Sequence, residues 1–241
     1  MSRVKALNNE ACDLLECLEY RTAVGLLKEA LTELKKDISR TAMGHVFVSA
    51  ERIKRSDPRI QSSGKIFFFH QTNNQFQIRS MNAGQWIYNQ PLWILPGESD
   101  VSNSLVFAIT FNLALACHLL ATEFENCGVD KDARQYYYMA RNLYQLPLKM
   151  IQEDYKNDNS VMDRDLFLFA AILNNASHVH SFLEEEECAL VYRHQLVKAL
   201  FFFVDAGMTF ATTSHDGTGT LDYFFENVKD LVCRIDIAPA A

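Results

Sequence analysis

His178-Val-His180 is the most enzyme-like pair in the chain, and His118, His194 and His215 add further imidazoles elsewhere. Such groups could ligate a metal or move a proton near neutral pH. On a helix, however, residues two apart point about 200° from one another, so His178 and His180 cannot share one ion. The four-residue spacing and intervening Glu of a metalloprotease helix are missing. These histidines are therefore expected to hydrogen-bond between helices or to line a groove. Six cysteines, at 12, 17, 117, 127, 188 and 233, include no Cys-x-x-Cys pair, and most are expected to act as small hydrophobes in apolar helical patterns. The Glu184–Glu187 run could hold a cation, but successive carboxylates at a helix start radiate outward. A solvated turn that complements the next helix dipole fits better. No nucleophile elbow, Walker loop or dinucleotide-binding glycine pattern occurs, and Gly217-Thr-Gly219 reads as a loop. The expectation is a protein with no catalytic residue, metal or cofactor.

Two further chemistries are weighed by charge. Tyr136–Tyr138 and Phe201–Phe203 could stack on bases, yet three consecutive helical residues span too wide an arc for one platform, and core packing is expected instead. A net charge of -7 argues against nucleic acid as the main partner. The segment from Arg40 to Lys65 carries a local balance of +4, with Arg52, Lys54, Arg55 and Arg59 clustered within it. It is read as a solvated loop, with a nucleic-acid-associated subunit using segment 52–59 kept as an alternative. No charge occurs between Asp100 and Glu123, a length that could span a bilayer. Ser102, Asn103, Ser104, Thr110, Asn112 and His118 inside it favour a buried core helix, and no membrane partner is expected. The first residues lack the uncharged apolar core of a signal peptide, so a cytoplasmic setting is expected, with the nucleus as an alternative. Asn175-Ala-Ser177 would then not serve as a glycosylation sequon.

The elements that must position these residues follow from periodicity. At 241 residues, 49% apolar and 22% charged, the chain has ordinary globular composition. Residues 1–39 carry two amphipathic stripes that meet near Glu19-Tyr20, which predicts an antiparallel helical hairpin. Residues 40–100 read as a β-rich insert. In it Lys65–Thr72 and Gln75–Ser80 flank an Asn73-Asn74 turn as a hairpin, and Trp86–Leu95 forms another extended piece that Pro91 confines to an edge. Residues 101–205 return to helical periodicity, with Asp130 and Asp163 as N-caps and Pro147 ending or kinking its helix. Residues 206–241 hold a loop, a last helix over Leu221–Val232 and a tail.

Self-similarity is the strongest pattern. Leu7-Asn-Asn-Glu-Ala11, Phe111-Asn-Leu-Ala114 and Leu173-Asn-Asn-Ala176 each precede a second helix, and Ala23 and Ala30 or Ala133 and Ala140 repeat with seven-residue spacing. The first unit, with Tyr20, Ala23, Leu27 and Ala30 in register, resembles the tetratricopeptide repeat in degenerate form. The second unit requires an enlarged turn from Thr122 to Asp132, and the third places Cys188 where Ala is expected. The order of hairpin, Tyr-x-x-Pro-Leu insert, FNLALACH, Ala-Arg-x-x-Tyr helix and LNNASHVHS resembles uncharacterised tetratricopeptide-like proteins of diatoms. That resemblance implies a mainly α fold, with antiparallel hairpins stacked as a short solenoid and a small β-hairpin-containing insert. It transfers no known activity; analogy with the repeat class implies a non-catalytic scaffold that binds a peptide or protein in a concave groove. The groove register exposes Asn8, Asn9, Cys12 and Leu15, then Phe111, Asn112, Leu115 and His118, then Leu173, Asn174, Ser177 and His180. The asparagine amides are expected to bridge the N–H and C=O of an extended peptide over an apolar floor of Phe111 and Leu115. Losing Asn112 should then weaken partner binding with little change in melting temperature. An enzyme with a histidine-containing site in the third unit is the other alternative.

Overall fold

A computed structural model describes residues 2–49, 79–80, 86–94, 102–157, 163–205 and 220–235, and among them the chain is mainly helical. The helices are α1 (Ser2–Glu16), α2 (Tyr20–Ser49), α3 (Ser102–Asn126), α4 (Asp130–Asn157), α5 (Asp163–Phe182), α6 (Glu186–Asp205) and α7 (Thr220–Ile235). Between α2 and α3, β1 (Arg79–Ser80) pairs antiparallel with β2 (Trp86–Ile87), joining Arg79 to Ile87 and Ser80 to Trp86. From β2 the chain runs on, without helix, to Ile94. The expected Lys65–Ser80 hairpin falls outside the described residues except for Arg79 and Ser80. Segment 52–59, residues 206–219 and residues 236–241 lie outside them as well. Residues 40–49, expected to be extended, are instead the end of α2. Once nucleated, a helix adds residues at little cost, and the β-branched and aromatic residues there do not stop it.

The chain forms two compact units, each assembled from separate stretches. One contains Met1–His70 and Pro91–Ala116, and the other Gln71–Gln90 and Cys117–Ala241. In the first, α1 packs on α2 through a stripe that includes Leu7, Ala11, Ala23, Leu27, Ala30 and Leu34, all buried. In the second, α4 packs on α5, α5 on α6, and α7 against α6, α5 and β2. The α4 stripe of Ala133, Tyr137, Ala140, Tyr144, Leu148 and Ile151 recurs at three- and four-residue intervals, which is what one buried helical face requires. Pro147 lies inside this helix and does not end it, because Tyr144, Leu148 and Ile151 stay buried on both sides of it.

Three helical hairpins close with the same turn. Leu18, Gly128 and Glu184 adopt left-handed conformations, at φ of 66°, 72° and 62°. In each, the next N–H donates back into the helix: Glu19 to Leu14, Val129 to Phe124 and Glu185 to His180, at 2.8, 2.9 and 2.9 Å. These are paired C-terminal caps that satisfy the last carbonyls of a helix. Ala23, Ala133 and Ala189 then donate to Glu19, Val129 and Glu185 as the first bonds of the following helices, and all three alanines are fully buried. Two expectations change here. The second turn is not enlarged, since α3 continues to Asn126 and α4 starts at Asp130. The small residue of the third unit is Ala189, while Cys188 is exposed.

Only glycine adopts this turn conformation without a Cβ penalty. Leu18 and Glu184 are exposed, the latter paired with Arg134 at 3.1 Å. Leu18→Gly is expected to raise the unfolding free energy by about 0.5–1 kcal/mol. Gly128→Ala should lower it by about as much, from backbone strain alone, because nothing lies within 4 Å of the added carbon. Urea unfolding of both variants checks the pair, and a common sign for the two would contradict it.

The aromatic runs divide by helical arc. Tyr137 and Phe203 are buried, whereas Tyr138, Phe201 and Phe202 are exposed, correcting the expectation that all pack in the core. Exposed Tyr138 instead lies under the Arg141 guanidinium, 5.0 Å from the ring centroid. The apolar stretch of α3 is long enough to cross a bilayer, and 94% of it is buried within the protein.

Candidate functional site

Helix α3 is apolar nearly throughout, which makes Asn112 costly unless all its polar atoms are paired. It is fully buried and so paired. Its Oδ1 accepts from the Leu92 N–H at 2.7 Å, and its Nδ2 donates to the Leu92 carbonyl at 2.8 Å and to Asn8 Oδ1 at 3.0 Å. Asn8 Nδ2 donates to the same Leu92 carbonyl at 3.0 Å, and the Cys12 thiol donates to it at 3.5 Å. Two residues on, Asn9 Oδ1 accepts from the Ile94 N–H at 3.0 Å and its Nδ2 donates to the Ile94 carbonyl at 2.8 Å. In an extended chain the backbone groups of alternate residues point to the same edge, so Asn112 and Asn9 grip one edge of a single extended segment. Leu92 and Ile94 also turn their side chains into the protein, whereas Pro91 and Trp93 are half-exposed. Burial, reinforced by Glu16 and Asp13, pushes the Cys12 thiol up, so it is a protonated donor and not a nucleophile.

The other unit repeats the device. Asn175, fully buried on α5, accepts from the Tyr88 N–H at 2.9 Å and donates to the Tyr88 carbonyl at 2.8 Å. The Tyr88 ring meets Phe167 edge-on at 5.6 Å and lies 6.3 Å from Phe224. Asn175 Nδ2 also donates to the Tyr144 hydroxyl at 3.2 Å. That hydroxyl lies 3.4 Å from His118 Nδ1, and His118 Nε2 is 2.8 Å from His178 Nδ1. Asn175 donates to that hydroxyl, and the direction of the two contacts of His118 follows from the tautomer its ring adopts. Both imidazoles are held neutral. Burial, then Arg193, lowers His178 to about 4, and burial, then His178 itself, lowers His118 well below its usual value. Burial likewise raises Tyr88, Tyr137 and Tyr144, keeping their hydroxyls protonated.

The expected groove residues are all buried except Asn9. Asn8, Asn9, Cys12 and Asn112 converge on Leu92 and Ile94, and all but half-buried Asn9 are fully buried. Leu15, Phe111, Leu115 and Leu173 are buried core side chains. His118 belongs to the imidazole pair. Asn174 donates to Asn175 at 3.2 Å and accepts from Asn227 at 2.5 Å, and the Ser177 hydroxyl donates to the Asn174 carbonyl at 2.8 Å. His180 contacts Glu185 through Nδ1 at 2.6 Å, stacks on Tyr192 at 5.0 Å, and is separated from the His118–His178 pair by its helix face. The same Glu185 accepts from Arg141 at 2.5 Å. With these hydrogen bonds buried, an Asn112 variant is expected to lower the melting temperature, against the small change expected from the sequence.

Asn175 and Tyr144 went unrecognised as members of such a site, whereas the histidines were expected to hydrogen-bond between helices, as His118 on α3 and His178 on α5 do. The closing turns would have found the first. Asn9 and Asn175 stand at the same distance before the left-handed residues Leu18 and Glu184, and Leu119 occupies that place in the second hairpin. Asn112 stands two helical turns earlier. Among the described residues no group of three His, Cys, Asp or Glu side chains could hold a metal ion. No protein-family profile, curated protein or solved structure matches the chain.

Proposed function

We propose that this protein is a non-catalytic, cytoplasmic interaction scaffold that binds an extended peptide or protein segment through asparagine side chains of its helical hairpins. The observation that carries this reading is the use of one amide for both backbone groups of one residue. It occurs with Asn9 on Ile94, Asn112 on Leu92 and Asn175 on Tyr88. An amide used this way reads extended backbone whatever the side chain, so a segment of another protein can be held by the same contacts. The hairpins are taken as degenerate tetratricopeptide-like repeats, of the kind that stack as a short solenoid, with a small strand-bearing insert. Ala23, Ala133 and Ala189 at one place after three equivalent turns support this. The helices are longer than in that repeat, since Gly128 and Glu184 are much further apart than its about 34 residues.

Selection of short random peptides displayed on phage against the purified chain tests the reading. Enriched peptides are expected to bind with Kd on the order of 10 µM, and roughly tenfold more weakly to an Asn9→Ala variant, as for one lost amide pair. Absence of enrichment, or binding indifferent to Asn9, would discard it.

A further inference from the structure

Resting on that reading, we propose that residues Pro91–Ile94 are the resident occupant of the peptide site formed by Asn8, Asn9, Cys12 and Asn112. We propose further that the site accepts in their place an extended Pro-aliphatic-x-aliphatic segment from a different protein. The seated chain itself defines the ligand. Leu92 and Ile94 are buried and clamped on both backbone groups, while Trp93 between them is half-exposed and has no role in the backbone grip. The ligand must therefore carry aliphatic residues two apart and tolerates any residue between. Proline before the first of them fits because it holds its predecessor extended and needs no partner for an N–H. The polar floor is neutral: three side-chain amides and a thiol kept protonated by burial. A charged segment would gain no counter-charge there, which excludes acidic or basic tails as ligands. The resident segment is tethered, so it competes at a high effective concentration, and an incoming segment binds in proportion to how often the resident one is released.

The test uses the full chain and a fluorescent peptide of residues 89–96, Asn-Gln-Pro-Leu-Trp-Ile-Leu-Pro. Ile94→Ala weakens the resident segment mildly, and Leu92→Asp with Ile94→Asp ejects it. The peptide is expected to bind both variants at least tenfold more tightly than the unaltered chain. A scrambled peptide should not bind, and Asn112→Ala added to either variant should reverse the gain. If the double aspartate variant loses helical circular dichroism, the peptide must restore it. Equal binding by altered and unaltered chains, or neither binding nor restoration, overturns the proposal. A peptide-inhibited dimer of the unaltered chain also overturns it, by making a second copy the occupant. If the phage-selected peptides bind but ignore the Ile94 and Leu92 variants, the exchange fails while the scaffold reading stands. If selection yields nothing yet the 89–96 peptide binds, the site stands and the scaffold reading fails.

Discussion

Asn112→Ala is expected to lower the unfolding free energy by about 3 kcal/mol. The substitution strips the Leu92 N–H of its acceptor and Asn8 Oδ1 of a donor, and both are left in a fully buried setting. The Leu92 carbonyl suffers less, because Asn8 and Cys12 still donate to it. A buried group left unpaired costs about 1–3 kcal/mol, far more than the net value of the bond it made, and this asymmetry sets the size of the effect. Asn112→Asp separates the two halves of the amide. It keeps the acceptor for Leu92 but turns a second oxygen toward the Leu92 carbonyl and Asn8 Oδ1. That variant should be least stable at neutral pH and recover as falling pH protonates the new carboxyl. Urea denaturation with an unchanged midpoint for Asn112→Ala would show that the clamp contributes nothing.

Acidification should cost the second unit about 3 kcal/mol through His178 alone. Its imidazole titrates near 4 in the folded chain against an ordinary 6.5, so between these values the unfolded state binds more protons. The contribution is therefore complete above pH 6.5, falls as pH drops toward 4, and is gone below that. His178 Nδ1 lies 2.8 Å from His118 Nε2, so a second charge cannot be added to the pair without the two rings repelling each other. His118, lowered in the same direction, adds to the slope. In His178→Asn the side-chain oxygen can stand near the lost Nδ1 and accept from His118 without titrating. Chemical denaturation across pH 5 to 6.5, the window above most carboxylates, should show a steep slope for the parent and a shallower one for this variant. Identical slopes would remove His178 as the cause.

Helical content was legible because the stripes in α1, α2 and α4 repeat with the period of a buried face; Asp130 and Asp163, expected as N-caps, are the first helical residues of α4 and α5, and in α4 the first helical bond goes to the Val129 carbonyl. The idea that asparagine amides bridge the N–H and C=O of an extended peptide came from residue chemistry alone; in the structure Asn9 and Asn112 bridge the backbone of the chain's own Ile94 and Leu92. What escaped was the occupant. Trp86–Leu95 read as an edge strand, and nothing in its composition says that its backbone partners would be side chains of distant helices. The choice of Asn174 over Asn175 failed for a geometric reason: neighbours on a helix differ by about 100°, and only the phase of the closing turn fixes which one faces the segment. Leu18 and Glu184 concealed that phase, since neither is a residue that announces a left-handed turn. Histidines hydrogen-bonded between helices were expected, but which two pair was hidden, because His118 and His178 meet only once α3 and α5 are placed.

The distribution of thiols has a practical consequence. All six cysteines are free, with Cys17, Cys127, Cys188 and Cys233 exposed and Cys12 and Cys117 buried. An alkylating reagent therefore meets two populations separated in time, one limited by collision and one by local opening. Cys12 touches the Leu92 carbonyl, so its lag is a stopwatch on the departure of that segment, kept by the native sequence without any added probe.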